Sequence, residues 1–306
     1  MSDPAELSSA FQERLEAFER ELPGMQEGNV GALHRARVAS RRLRELVPLL
    51  PLDRTAKRKL GVGLKKTTRA LGFVRELDVL GLLIDEFRRD GRCPVGALNE
   101  VGGRVAEARD ETRERLIGKR RMAKLSKLVA RLRRASETLK TVTPSGRRSA
   151  ASGSPRARRW ALDARLASRA ARVRAAFEHA GSVYASGQLH DARIALKKLR
   201  YAIELTDDSS GRLSADVAAL KGAQDLLGRL HDFEVLLSWT RDAQASLSPP
   251  DLTMWRALDA MEGAIEDDCR RLHARAMRDR QKLMTLTNRL GGGGLADQPR
   301  RRAATG

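Results

Sequence analysis

Apolar residues in this chain recur three and four positions apart over nearly its whole length, and no long stretch alternates with a period of two. A helix brings residues i, i+3 and i+4 onto one face, whereas a half-buried strand needs period two. The pattern therefore predicts an all-α protein, and 41 % apolar content among 306 residues is enough to build a core behind such faces. Boundaries show at Gly, Pro and capping residues. The predicted helices run from about Pro4, capped by Asp3, to Leu22 before Pro23-Gly24, and from Val30 to Pro48. A third runs from an Asp53 cap to Leu71, a fourth carries "LDVLGLLIDEFRRD" to Gly91, and a long fifth covers Val95 to Lys140. Residues 141–159, "TVTPSGRRSAASGSPRARR", hold almost nothing apolar to bury and read as a basic linker; 291–306 read as a disordered tail.

The halves on either side of that linker repeat one another. "LHRARVASRRLR" (33–44) aligns with "LHDARIALKKLR" (189–200) at an offset of 156 residues, with Leu33/Leu189, His34/His190, Arg37/Arg193 and Arg44/Arg200 identical. Arg41 and Arg42 become Lys197 and Lys198, which keeps the charge. A second block, "LKKTTRALGFVRELDVL" (64–80), matches "LKGAQDLLGRLHDFEVL" (220–236) at the same offset through Lys65/Lys221, Gly72/Gly228 and Val79/Val235. Two blocks at one offset point to a duplication of about 150 residues. Each copy, 1–140 and 160–290, supplies four or five helices, so the expected architecture is two pseudo-symmetric antiparallel four-helix bundles with long helices.

On a helical wheel His34, Arg37, Arg41 and Arg44 share one narrow face over three turns, opposite Ala36, Ala39, Leu43, Val47 and Leu50. The second copy sets His190, Arg193, Lys197 and Arg200 opposite Ala192, Ala195, Leu199 and Ile203. Arg42 and Lys198 fall off the main face. Lys65 and Arg75, like Lys221 and His231, lie ten residues apart on nearly the same side, with Gly72 or Gly228 between them. Two readings stay open for that glycine, close helix packing or a helix break. Like charges three and four apart destabilise a helix by roughly 0.2–0.5 kcal/mol per pair. A solvated face would intersperse Glu; this one does not, which makes an anion along it the economical reading.

Charge agrees: 59 Lys and Arg against 39 Asp and Glu leave +20, which calls for an acidic partner. Aromatic residues number eleven, and only Tyr201 interleaves with the basic face. Stacking platforms for single-stranded nucleic acid are therefore scarce, and the face lacks the amide side chains of a duplex reader. Phosphate without bases remains, which Arg forks bind two oxygens at a time and which His contacts as a donor. Protonation of such histidines predicts affinity that strengthens from pH 8 to pH 6. Cys93 and Cys269 give neither a disulfide framework nor a metal spacing, so the expected compartment is a reducing cytoplasm. The acidic, amphipathic start is not a signal peptide, and no window approaches a membrane span.

At these residues the sequence resembles the CHAD domain family, the histidine α-helical domains. The likeness rests on "LHRARVASRRLR" with "LGFVRELDVL" and on "LHDARIALKKLRYAIEL" with "LGRLHDFEVL", and it covers about residues 1 to 290. The resemblance implies two four-helix bundles whose basic faces line a central cavity, binding of inorganic polyphosphate, and association with polyphosphate granules. Carried over by position, the phosphate contacts are His34, Arg37, Arg41, Arg42, Arg44, Lys65 and Arg75 in the first copy. In the second they are His190, Arg193, Lys197, Lys198, Arg200, Lys221 and His231. The second copy departs from the first where Arg69 becomes Asp225 and Lys66 becomes Gly222, which weakens the symmetry of the site. The alternating glutamates of the triphosphate-tunnel domain that some relatives carry are absent, so its catalysis is not transferred.

An enzyme is not expected, and neither is a cofactor or metal. The acids repeated near the basic face are Glu76/Asp232 and Asp78/Glu234, better read as capping or pairing groups, and there is no phosphate loop or HExxH spacing. The alternative function rests on a different stretch. Lys119 to Arg159 carries fourteen Lys or Arg against Glu137 alone, a run suited either to a solvated tether or to nonspecific binding of nucleic acid and other polyanions.

Overall fold

The computed structural model describes residues 4–142, 155–185, 187–206, 214–249 and 251–291. They form ten α-helices: α1 (Pro4–Arg20), α2 (Leu22–Gln26), α3 (Val30–Leu46), α4 (Arg54–Asp90), α5 (Val95–Ile117), α6 (Lys119–Val142), α7 (Pro155–His179), α8 (His190–Thr206), α9 (Ser214–Ala245) and α10 (Leu252–Gly291). A 3-10 turn, Val47–Leu49, follows α3. The all-α expectation holds, and among the described residues no helix is long and apolar enough to cross a membrane.

Several boundaries differ from the expected ones. Pro23 does not end the first helix; it sits in the first turn of α2, where its missing N–H costs nothing. The expected third and fourth helices are one, α4, continuous through Gly72 for 37 residues. A helical glycine costs only about 1 kcal/mol against alanine, which tertiary packing easily overrides. The expected fifth helix is two. Gly118 has extended ψ 143°, donates its N–H to the Glu114 carbonyl and accepts from Arg121 and Met122 N–H, so it closes α5 and opens α6. In the expected linker, 141–142 end α6 and 155–159 begin α7; the rest, 143–154, lies outside the described residues, as do Asp3 and the 292–306 part of the expected tail.

The chain forms two compact units, 2–152 with 235–266, and 153–234 with 267–306. Their limits differ from those of the repeat copies: residues 235–266, the end of α9 and the start of α10, belong with the first unit. There α1, α3, α4 and α6 bury Phe11, Leu15, Phe18, Leu43, Leu64, Leu71 and Leu132. In the second unit α7 packs on α8, and the core takes Leu166, Phe177, Leu199, Ile203, Leu220 and Leu283. All nine residues placed on the apolar faces of the two repeated basic helices are buried.

Candidate phosphate-binding faces

In the first unit the face begins with a cap. Asn29 Oδ1 accepts the Ala32 N–H at 2.9 Å and starts α3. Arg35 pairs with Glu21 at 2.9 Å, which ties α3 to the junction between α1 and α2. One turn on, α3 lies against α4: Ser40 and Thr68 meet hydroxyl to hydroxyl at 3.0 Å in a buried contact. α4 runs unbroken through Gly72, so no helix break occurs there; a Cβ at this position would meet Arg37 Nε at 3.7 Å, an ordinary van der Waals distance, so close packing does not require the glycine either.

The result is a cluster around His34. Its imidazole is exposed, yet partial desolvation and then the charges of Arg75, Arg37, Arg35 and Arg41 hold its pKa below the ordinary histidine value. The structure thus brings together four predicted residues, His34, Arg37 and Arg41 from α3 and Arg75 from α4. Arg35, which the sequence reading passed over, adds a fifth member although its own charge is satisfied by Glu21. Arg42 and Lys65 are exposed and Arg44 is half-buried; none of the three is among the charges that act on His34.

In the second unit the counterpart forms between α8 and α9. The rings of His190 and His231 lie 5.2 Å apart between centroids. His231 is half-buried, and burial, then Arg193, His190 and Lys197, push its pKa down to about 4. His231 thus stands beside His190, and at the aligned position of the first copy the charge of Arg75 acts on His34. Lys198 is half-buried and Lys221 exposed; neither acts on His231. Arg200 pairs with Glu204 at 3.4 Å and stacks over Tyr201 at 5.0 Å, so this residue is engaged locally.

A carboxylate stands inside this second cluster. Glu234 accepts the Gly187 N–H at 2.9 Å, with His190, Arg193 and the Tyr184 hydroxyl around it. Burial raises its pKa against all of these. Gly187 has φ +82°, a left-handed turn open to glycine, and this turn aims its N–H at Glu234 just before α8 begins. The aligned acid of the first copy behaves differently: Asp78, nearly buried, is locked to Arg113 at 2.6 Å. Burial and neighbouring cations thus lower both His34 and His231, so in the free protein these two rings take up their protons at lower pH than an ordinary histidine.

The model of the CHAD domain family matches residues 9–241. No curated protein matches the chain. Among solved structures, PptA from Streptomyces chartreusis is similar with a TM-score of 0.61 and 16 % identity, over 93 % of this chain and all of that one. The CHAD domain from the plant Ricinus communis is similar with a TM-score of 0.59 and 22 % identity, over 90 % of each chain. At these identities the two structures speak for the fold alone.

Proposed function

For a chain that belongs to the CHAD domain family, we propose binding of inorganic polyphosphate by the two clusters, and through it attachment to or organisation of polyphosphate granules. One observation carries the reading: the same construction occurs twice. His34 with Arg37, Arg41 and Arg75, and His190 with Arg193, Lys197 and His231, each join two helices at positions related by the repeat. Guanidinium and ammonium groups at helical spacing suit a linear anion with one charge per short repeat unit. Tyr201 is the one aromatic residue that interleaves with the basic face, and such a scarcity of stacking platforms argues against nucleic acid as the preferred partner.

The reading is of binding without turnover. Two observations support it: Asp78 is paired with Arg113, and Glu234 accepts the Gly187 N–H. The test is a calorimetric titration with long-chain polyphosphate at moderate salt, repeated in the presence of single-stranded DNA of equal total charge. Polyphosphate binding that DNA displaces only weakly is the expected result. Equal competition by DNA would transfer the function to the basic run of 119–159.

A further inference from the structure

A second basic feature of the first unit lies away from His34. A cavity of about 510 Å³ opens between α4 and α6. Along α4 it is lined by Lys59, Gly63, Lys66 and Ala70, at steps of four, three and four residues. At about 100° per residue these lie on the side of the helix roughly opposite Thr68, Gly72 and Arg75, which face α3 and the phosphate cluster. The cavity and that cluster are therefore separate sites on one helix. Gly63 brings α6 close here: its Cβ would fall 2.7 Å from Leu128 Cδ1.

The lining has two chemistries. The floor is apolar: Met25, Leu71, Leu116, Leu125 and Leu128 all line it, and each is less than 9 % exposed. The mouth is cationic on both sides. Arg58, Lys59 and Lys66 stand on α4, and Arg121, Lys124, Lys127 and Arg131 on α6. Among the described residues none of these seven is ion-paired, and no acid lines the cavity. An apolar interior offers nothing to polyphosphate, which has no apolar surface to bury. A slender apolar chain can lie against these side chains, and a cavity of this size falls in the range that holds a small ligand.

The geometry points to a site for a single-chain anionic amphiphile, with its alkyl or acyl tail between α4 and α6 and its phosphate or carboxylate head held by the cations at the mouth. The apolar interior supplies the tail's affinity and the unpaired cations select the head's sign. This site does not depend on the polyphosphate reading.

The experiment titrates the full chain with dodecyl phosphate below its micelle concentration, then with octyl and butyl phosphate. Affinity falls about fourfold per methylene removed if the tail is buried. Two variants accompany it: Ala70→Phe, which fills the cavity, and Lys66→Glu with Lys124→Glu, which reverses charge at two exposed mouth positions. Both weaken dodecyl phosphate at least tenfold at unchanged helical content, and Ala70→Phe, which alters no charge, leaves the polyphosphate titration as in the wild type. Phosphatidylglycerol vesicles distinguish the source: sedimentation with vesicles that both variants abolish identifies a membrane lipid, and monomer binding without vesicle binding identifies a free amphiphile. Affinity independent of chain length, or dodecyl phosphate binding unchanged in both variants, overturns the proposal.

Discussion

The imidazoles of His190 and His231, one from α8 and one from α9, lie with 5.2 Å between ring centroids and their planes inclined by 52°. Arg193, Lys197 and Glu234 surround them. Burial first, and then the charges of Arg193, His190 and Lys197, hold His231 near a pKa of 4. An unfolded histidine titrates near 6.5. The unfolded chain therefore takes up this proton first as pH falls, and the stability that the neutral ring preserves above about pH 6.5 is lost progressively toward pH 4. Thermal unfolding of the free protein should show this loss, and His231→Gln should reduce it. An unchanged pH profile in the variant would contradict the assignment.

Bound polyphosphate reverses the sign. An anion against the ring favours the protonated form, so binding draws protons in, and affinity should rise as pH falls below about 6.5 while staying nearly flat from pH 8 to 7. Protonation of Glu234, whose pKa burial raises, removes a negative charge from the same cluster and acts in the same direction. Calorimetry in two buffers of different ionisation enthalpy reads the proton uptake directly. Affinity that weakens on acidification would exclude contact between phosphate and this pair.

Removing Arg37 or Arg193 should weaken polyphosphate binding about tenfold or more, the range for one hydrogen bond to a charged group. Arg42→Ala should cost distinctly less, because Arg42 is exposed and does not act on His34. Arg200→Ala should also cost less than Arg193→Ala, since Glu204 and Tyr201 already hold that guanidinium. The salt dependence of binding should fall by about one unit of slope for each contacting cation removed. Equal effects at all four positions would mean that only total charge matters.

Asp78→Asn should act on stability alone. Asp78 is 9 % exposed and its partner Arg113 22 %, so the substitution leaves a poorly solvated cation with a weaker acceptor, at a cost of about 2 kcal/mol. Polyphosphate should bind as before once the protein is folded. A phosphate-release assay on wild type and variant should give the same blank result; release by the wild type that Asp78→Asn abolishes would make this carboxylate part of an active site.

Asn29→Ala removes the side-chain acceptor of the α3 N-terminus and should cost about 1 kcal/mol, seen as a lower unfolding midpoint. Polyphosphate affinity should change little if α3 stays packed through its Ser40–Thr68 contact with α4.

The basic faces were legible in the sequence because a helix has a fixed angular step. Once 33–44 and 189–200 were read as helices, the sides of His34, Arg37 and Arg41, and of His190, Arg193 and Lys197, followed. The repeat then supplied Arg75 and His231, which sit on neighbouring helices. Continuity through Gly72 was not legible, because a single helical glycine costs only about 1 kcal/mol and its local propensity does not decide between a break and a continuous helix. The break at Gly118 is marked by a single glycine with no proline beside it, so the helical reading ran straight across it. The association of 235–266 with the first unit, and the cavity between α4 and α6, depend on which helices pack together, and a helical wheel carries no information about partners. Glu234 was visible as a repeated acid, but its place within the cationic cluster depends on the turn at Gly187.

The most direct test of the central claim compares two alterations for long-chain polyphosphate affinity at one salt concentration. One replaces His34, Arg37, His190 and Arg193 with alanine; the other replaces the arginines of 143–159 with serine. The account predicts that the first abolishes measurable binding at unchanged helical content and the second leaves affinity within a few-fold of wild type. The opposite pattern, with the four-alanine protein binding normally and the serine-substituted one failing, would contradict it and leave the two histidine clusters without a role in polyphosphate binding.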